Sequence, residues 1–263
     1  MSPQRKQRID DRIVEALKVF KDADSVELKL TVPDTDQDSA ISALEMDVLD
    51  AKFRQVVFFD TPDLRLSHDG IVLRARRARR GGDTVVKLRP LVPADLSNSL
   101  RRSSSFAIEV DVMPSAFVCS GCLKGEADNT ETNDVLRGIR PIRKLFSSEQ
   151  RSLYKEHAPK DLDLDSLTPL GPINVAKLKF PPEMLSGRVV LAEVWFYPDG
   201  SRFLELSTRC SNESAFGVLM ETRRRLKEHG VSLTGEQHTM TLKALEYFSR
   251  LNTRKQRSQK TGL

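Results

Sequence analysis

SVELKLTV, residues 25–32, alternates apolar and polar side chains without interruption. Its apolar residues fall on one face of an extended chain, and Glu27, Lys29 and Thr31 fall on the other. An alternation with a period of two predicts a β-strand. The second face carries two opposite charges only two residues apart, so the segment predicts a strand with one apolar face and one charged face.

Seven more segments have strand character, at residues 54–60, 71–79, 84–89, 106–113, 173–180, 188–197 and 203–210. Pro198-Asp199-Gly200 between the last two is typical of a hairpin turn. Apolar residues at helical spacing predict helices over residues 10–21, 37–50, 147–157, 212–229 and 236–251. We expect three parts: a helical extension at 1–23, a main domain at 24–251 with a helical insertion near 114–170, and a basic disordered tail at 252–263.

The charged face of the first strand recurs in most of the others. Charges two residues apart occur at Glu27 and Lys29, Arg74 and Arg76, Lys87 and Arg89, Glu109 and Asp111, and Lys177 and Lys179. Glu193 and Glu205 are single charges on later strands, and apolar residues such as Leu28, Val72, Val86, Ile108 and Leu178 occupy the opposite faces. A solvated sheet face explains any one strand, but like-charged pairs on four of the eight strands favour a closed barrel with a charged interior.

A charged interior requires a charged ligand, because burying unpaired charges costs several kcal/mol each. A polyphosphate is a compact multivalent anion that Arg grips through two hydrogen bonds and Lys pairs with as a point charge. Carboxylates in the same interior suit Mg²⁺ or Mn²⁺, which prefer oxygen ligands and substrate phosphates. The pattern therefore predicts a site for a metal–polyphosphate complex.

The overall charge argues against a nucleic-acid-binding body. The 263 residues have a net charge of +5, but seven Lys and Arg lie in residues 1–8 and 252–263. The rest of the chain has 35 basic and 37 acidic side chains. The sequence shows neither an apolar run of transmembrane length nor a signal-peptide core. We expect a soluble, cytoplasmic protein without a nucleic-acid or membrane partner, and the oligomeric state stays open.

Several of these strands resemble motifs of the CYTH superfamily, which includes class IV adenylate cyclases, thiamine triphosphatases and inorganic triphosphatases. Residues 26–30 (VELKL) resemble its E-x-E-x-K strand, and residues 58–63 (FFDTPD) its Y-F-D-T segment. Residues 70–76 (GIVLRAR) resemble its G-x-x-L-R-x-R strand, residues 84–87 (TVVK) its T-x-K strand, and residues 106–111 its central acidic strand. The motifs are short, but they occur in the family order over residues 24–210.

The resemblance implies an α+β fold, mainly antiparallel, built on a closed eight-stranded tunnel with flanking helices. It also implies Mg²⁺- or Mn²⁺-dependent action on a triphosphate. By position, the expected metal ligands are Glu27, Glu109, Glu193 and Glu205, and the expected catalytic residues are Lys29, Glu109 and Asp111. The expected phosphate ligands are Lys29, Arg74, Arg76, Lys87, Arg151 and Lys177.

The sequence departs from the family pattern at two places. Ser25 stands where the first Glu of E-x-E-x-K is expected, and the last strand has the single acid Glu205 in place of a pair. The leading hypothesis is hydrolysis of an inorganic or small organic triphosphate. Cyclisation of ATP to cyclic AMP and a non-catalytic polyphosphate- or nucleotide-binding module are the alternatives, and Ser25 favours the second of these.

Two other features carry weaker signals. Cys119 and Cys122 have the C-x-x-C spacing of half a zinc or redox site, but no second pair accompanies them. Arg89 precedes Pro90 at the end of a strand, where a solvated side chain is expected.

Overall fold

The strands close into a barrel in the computed structural model, which describes residues 20–114, 116–180, 190–231, 237 and 239–261, without the side chains of Val48 and residues 254–261. The described strands are β1 Ser25–Val32, β2 Lys52–Asp60, β3 Ile71–Ala78, β4 Gly82–Leu88, β5 Phe106–Met113, β6 Ala116–Ala127, β7 Thr168–Lys179, β8 Leu191–Phe196 and β9 Arg202–Cys210.

The strand order around the barrel is β1-β5-β6-β4-β3-β2-β7-β8-β9, and β9 pairs with β1 to close it. β1 and β5 are parallel, with Glu27 beside Asp111, and the other neighbouring pairs are antiparallel. The closed α+β barrel is confirmed. The expectation of eight antiparallel strands was wrong, because β6 occupies the start of the segment expected to be a helical insertion.

The helices flank the barrel and lie mostly where the sequence predicted them. They are α1 Gln37–Ala43, α2 Arg65–His68, α3 Asn98–Arg101, α4 Asn129–Leu136, α5 Ser148–His157, α6 Ala215–Glu228 and α7 Met240–Thr261. α7 continues to Thr261, so most of the segment expected to be a disordered tail is helical. The helix predicted at 10–21 lies largely outside the described residues. No described helix has the length and apolarity needed to cross a membrane.

The outer face of the barrel is apolar and packs against helices in two clusters. In one cluster, Leu73, Val86 and Ile108 of the strands pack with Leu153 of α5 and Val135 of α4. The other cluster joins residues of β1, β7, β8 and β9 to Ala40 of α1 and Leu226 of α6. Because side chains alternate along each strand, burying these residues outside directs the intervening charged residues into the barrel.

Helix α5 holds two site-bearing strands in place. Ser147 and Gln150 form a capping box at its first turn. The buried amide of Gln150 also donates to the carbonyl oxygens of Thr84 at 3.2 Å and Leu123 at 3.0 Å. These bonds fix α5 across β4 and β6, which carry Lys87 and Lys124 into the interior.

Candidate functional site

The inward faces of the strands enclose one mainly charged cavity. Its charged lining consists of Glu27, Lys29, Arg54, Arg74, Arg76, Lys87, Arg89, Glu109, Lys124, Lys177, Glu193, Glu205 and Arg209. The structure thus brings together nearly all of the residues selected from the sequence. Asp111 is buried next to this lining, and its carboxylate lies 3.4 Å from Lys29 Nζ. Val72 was assigned to the opposite face, and this was wrong, because it lines the cavity.

Arg151 lies apart from this group. It is on α5 outside the barrel, and its guanidinium donates to the carbonyl oxygen of Phe146. The role of phosphate ligand that the family resemblance implied for Arg151 therefore has no geometric support.

Lys29 is the centre of the acidic part of the cavity. Its Nζ lies 3.5 Å from Glu27, 3.4 Å from Asp111 and 4.0 Å from Glu205. Burial by itself would lower the pKa of Lys29, but Glu205, Asp111 and Glu27 outweigh burial and raise it. Burial raises the pKa of Glu205 to about 7, against the opposing effect of Lys29. The cluster therefore contains a permanent cation and a carboxyl group that can exchange a proton near neutral pH.

Glu109 has basic neighbours on both sides. Its carboxylate lies 2.7 Å from Lys124 Nζ and 3.7 Å from Lys87 Nζ. Burial would raise the pKa of Glu109, but Lys87 and Lys124 lower it to about 2. Glu109 is therefore ionised at any physiological pH.

Arg89 is part of the site, which corrects the expectation that its side chain is solvated. Its Nη1 lies 3.1 Å from Asp111 Oδ2, and only 12% of its side chain is exposed. The inward alternation of Val85, Lys87 and Arg89 continues one residue past the end of β4 at Leu88. The side chain of Arg89 therefore still points into the cavity, although Pro90 follows it.

Arg54 and Lys177 both face Glu193. Arg54 Nη2 lies 2.5 Å and Lys177 Nζ 3.6 Å from Glu193 Oε1. Burial would raise the pKa of Glu193, but Arg54 and Lys177 lower it. Sequence reasoning missed Arg54, because the predicted strand began at Arg54 itself and so left out Lys52, which lies two residues earlier and repeats the charge spacing.

Arg74 and Arg76 differ in how closely each already pairs with Asp83. Arg76 Nε donates to both oxygens of Asp83, at 2.9 and 2.8 Å. Arg74 has only a 3.9 Å approach to Asp83, and its buried Nε has no hydrogen-bond partner among the described residues. Burial, together with Arg76, lowers the pKa of Arg74 to about 10. Arg74 therefore has a buried donor available for an anion, whereas the Nε of Arg76 is already bound to Asp83.

The two cysteines do not form a site together. They lie three residues apart on β6, so Cys119 packs in the outer core while Cys122 lines the cavity. The Cys122 thiol donates to Glu109 at 3.2 Å, and burial raises its pKa to about 12. Cys122 is thus a neutral donor to Glu109.

The cavity has a surplus of positive charge. Its lining has nine Lys and Arg side chains and four Glu, and Asp83 and Asp111 pair with lining residues from the side. The resulting excess of three positive charges can be neutralised by a polyanion. Arg54, Arg89, Lys124 and Arg209 contribute to it, and the alternation of charged residues with a period of two was the signal that could have identified them.

The carboxylates were tested as ligands of Mg²⁺ or Mn²⁺. Glu205 Oε2 is buried without a hydrogen-bond donor among the described residues, and Asp111 Oδ2 has ion-pair contacts with Arg89 at 3.1 Å and Lys87 at 3.9 Å. Within the same residues, no three His, Cys, Asp or Glu side chains are placed to hold an ion together. Mg²⁺ is commonly bound by one or two carboxylates plus substrate phosphates. The acids therefore fit a metal ion that is held jointly with a phosphate ligand.

No family model and no curated protein matches the sequence. The fold does match solved structures, among them two putative adenylate cyclases. A putative adenylate cyclase from Bacillus halodurans aligns with a TM-score of 0.56 at 14% identity, over 82% of this chain and 95% of that one. A putative adenylyl cyclase from Hippeastrum, described as having a dominant triphosphatase activity, aligns with a TM-score of 0.52 at 20% identity, over 80% of this chain and 91% of that one. The chain is therefore structurally similar to putative adenylate cyclases and shares their closed-barrel tunnel, the fold that the CYTH resemblance of its strands predicted.

Proposed function

We propose that this protein binds a triphosphate group in the barrel cavity and hydrolyses it. The substrate is inorganic triphosphate or a small organic triphosphate. The observation that carries the proposal is the surplus of three positive charges in the cavity. A triphosphate has the opposite sign, and its several negative charges can neutralise that surplus. The dominant triphosphatase activity described for the similar Hippeastrum protein favours hydrolysis over cyclisation.

Arg74 and Lys87 are the proposed principal phosphate ligands, with Arg76, Lys177 and Lys29 around them. The partner-free Nε of Arg74 can donate to a phosphate oxygen without breaking an existing bond. Lys87 Nζ makes two long ion pairs, with Glu109 Oε2 at 3.7 Å and Asp111 Oδ2 at 3.9 Å. Guanidinium and ammonium groups in this position stabilise the charge that develops on a transferred phosphoryl group.

Asp111 and Glu205 are the proposed ligands of Mg²⁺ or Mn²⁺, assisted by Glu27, Glu109 and Glu193. When bound, such an ion would neutralise phosphate charge and polarise the phosphoryl group. Burial would raise the pKa of Asp111, but Lys29, Lys87 and Arg89 lower it, and Glu109 and Asp111 are proposed to orient the attacking water.

Arg74→Gln tests the proposal, with Arg79→Gln as the matched control. Arg79 is exposed just beyond β3, so both variants lose one positive charge from the same part of the chain. Each protein is incubated with inorganic triphosphate, ATP or thiamine triphosphate plus Mg²⁺ or Mn²⁺, and phosphate and cyclic AMP are measured. We expect phosphate release that Arg74→Gln reduces at least about tenfold, a loss typical of one charge-assisted contact, and that the control retains.

The other outcomes separate the alternatives. Cyclic AMP as the main product would make the protein a cyclase. Thermal stabilisation by triphosphate without turnover would make it a binding module. The proposal would be overturned if triphosphate were not hydrolysed and also did not stabilise the protein.

A further inference from the structure

Two exposed phenylalanines lie on the outer face of the barrel, on the far side of the wall from the charged cavity. Phe53 of β2 is 61% exposed and Phe196 of β8 is 42% exposed. Their chain neighbours Arg54 and Trp195 line the cavity, so the alternation of side chains along each strand directs both phenylalanines outward. An exposed apolar side chain needs no explanation by itself, but a group of them on one surface indicates a binding site.

The two rings lie on either side of β7, which is the strand between β2 and β8. Phe53 is paired with Ala176 of β7, and Phe196 is paired with Asn174. Because neighbouring strands lie about 4.8 Å apart, the two phenylalanines are about 10 Å apart across β7. Aromatic rings interact at centroid separations of about 4.5–7 Å, so one flat ring placed above β7 can contact both. The groove that they line has a volume of about 540 Å³ and also includes Gln55, Arg77, Asn129 and Asn174.

A chain of hydrogen bonds crosses the floor of this groove from β3 to β7. Arg77 Nη1 donates to Gln55 Oε1 at 3.0 Å and to Asn133 Oδ1 at 2.7 Å. Gln55 Nε2 donates to Asn174 Oδ1 at 3.1 Å. The strand register places Arg77, Gln55 and Asn174 in one row, since Gln55 is paired with both of the others.

The direction of this chain is set by Arg77. A guanidinium only donates hydrogen bonds, so the carboxamide oxygen of Gln55 must face Arg77 and its NH2 group must face Asn174. Asn174 accepts that bond through its oxygen, and its own NH2 group is therefore directed away from β2, toward the side of Phe196. Bonds in such a row polarise one another, and this row begins at a cation, which strengthens the last N–H as a donor. The groove thus presents an oriented hydrogen-bond donor beside two aromatic rings.

Asn129, the remaining carboxamide of the groove, offers no competing acceptor. Its Nδ2 donates to the carbonyl oxygen of Ala78 at 2.7 Å, and its Oδ1 is buried. A ligand that covers Asn174 must therefore supply an acceptor, because covering the N–H without a partner costs free energy. A nucleobase combines a flat aromatic ring with polar atoms at its edge. An exocyclic oxygen on the base accepts hydrogen bonds, whereas an exocyclic amino group donates them.

We propose that this groove is a second ligand site, which binds a nucleobase that carries an exocyclic oxygen. The base stacks between Phe53 and Phe196 and accepts a hydrogen bond from Asn174 Nδ2. Stacking on aromatic side chains holds bases with little regard to their identity, so Asn174 provides the selectivity for an oxygen over an amino group. The site is separate from the cavity and does not depend on triphosphate hydrolysis.

The test is a titration of the isotope-labelled full-length protein with inosine and with adenosine, followed by NMR through the side-chain NH2 signals of Asn174 and Gln55. Both nucleosides have a purine ring and a ribose, but inosine carries an oxygen where adenosine carries an amino group. Neither has a phosphate for the charged cavity. We expect both nucleosides to shift the Asn174 signal, and inosine to bind about tenfold more tightly, a ratio typical of one hydrogen bond.

Asn174→Asp is the decisive variant, because aspartate retains the oxygen that accepts from Gln55 and loses only the N–H. Its outward oxygen accepts from the amino group of adenosine, so we expect this variant to bind adenosine more tightly than inosine, measured at the Gln55 signal. Phe196→Ala should weaken the binding of both nucleosides at least about fivefold through lost stacking. Phe216→Ala, at an exposed ring of α6, is the matched control and should keep both affinities. All three positions are exposed, so the melting temperatures should stay close to that of the wild type.

Two kinds of result would overturn the proposal. Equal affinities of the wild type for inosine and adenosine, or a preference for inosine that persists in Asn174→Asp, would remove the selectivity assigned to Asn174. An Asn174 signal that neither nucleoside shifts, or undiminished binding to Phe196→Ala, would remove the nucleobase site itself. None of these results bears on triphosphate hydrolysis, which Arg74→Gln tests in separate reactions.

Discussion

Glu205 shows how a single residue can combine burial with charge. It is 5% exposed, and its neighbours are Lys29 on one side and the acids Glu193 and Asp111 on the other. Burial and the neighbouring acids raise its pKa to about 7, from an ordinary value of 4.5. Between these two pH values the folded state holds a proton that the unfolded state has lost. The wild type therefore loses stability as the pH rises through this window.

Glu205→Gln removes that loss. We expect the melting temperature of the variant, relative to the wild type, to be higher at pH 8 than at pH 5, in metal-free buffer. A difference of about 1 kcal/mol corresponds to about 2–4 °C in a protein of this size. Glu156→Gln, at an exposed position of α5, is the control and should show no such dependence. An equal gap for Glu205→Gln at both pH values would contradict the prediction.

Asp60 belongs to the FFDTPD motif, but the structure gives it a structural role. One carboxylate oxygen accepts from the backbone nitrogens of Thr61 at 2.7 Å and Leu66 at 2.9 Å, and the other accepts from Ser67 at 3.0 Å. The side chain is buried and lies outside the cavity lining. It holds the turn between β2 and α2.

Asp60→Ala leaves three backbone N–H groups without their acceptor. We expect the free energy of unfolding to fall by about 2–4 kcal/mol, measured by urea denaturation. Asp60→Asn keeps one acceptor oxygen and should lose less. A variant as stable as the wild type would show that these bonds contribute nothing.

At the scale of elements, β6 explains the main error of the sequence analysis. Its outward residues include Gly121 and Gly125, so the apolar face that identified the other strands is interrupted. Packing requires these glycines. A Cβ on Gly121 would lie 2.7 Å from the Phe106 ring, and a Cβ on Gly125 would lie 2.7 Å from Gln150 Oε1. The residues that let α5 and β5 approach closely are therefore those that remove the strand pattern.

Gly121→Ala tests this close packing. We expect a loss of about 1–3 kcal/mol in the free energy of unfolding, the usual range for overpacking a core. Gly217→Ala is the matched control, because Gly217 lies inside α6 with open space around its Cβ position. That substitution should stabilise the protein by about 0.5–1 kcal/mol through helix propensity. Equal effects of the two substitutions would contradict the packing argument.

At the scale of the whole molecule, α7 is part of the barrel architecture rather than an appendage. It packs over one end of the barrel through Phe248 and its apolar neighbours. Tyr247 and Ser249 tether it to the rim, and Gln237, three residues before the helix, adds a third attachment. The charged interior and this apolar contact divide the cavity along its axis.

Phe248→Ala measures how strongly the helix is held. Phe248 is 4% exposed, so we expect a loss of about 3–5 kcal/mol in the free energy of unfolding. Phe216→Ala on α6 is the control, since Phe216 is 76% exposed and should change stability by less than about 0.5 kcal/mol. A comparably small effect of Phe248→Ala would mean that α7 is not docked as a closing element.

The sequence by itself determined which face of most of the predicted strands is charged. Alternation with a period of two is a local property, so it identified Lys29, Arg74, Lys87, Glu109 and the other lining residues before any tertiary contact was known. It gave the bounds of β1 and β5 correctly. The same local pattern favoured closure of the barrel, because the charged faces of many strands can share one small ligand only if the sheet closes around it.

Only the tertiary structure decided which charges meet. Arg54 faces Glu193 across β7, Arg89 reaches Asp111 across β6, and Gln237 pairs with Thr31, 206 residues away. Such pairings depend on strand order and register, including the parallel β1–β5 pair, and local periodicity contains no information about them. The position of α7 over one end of the barrel also depends on the tertiary structure, since an apolar face on the last helix does not reveal which surface it will cover.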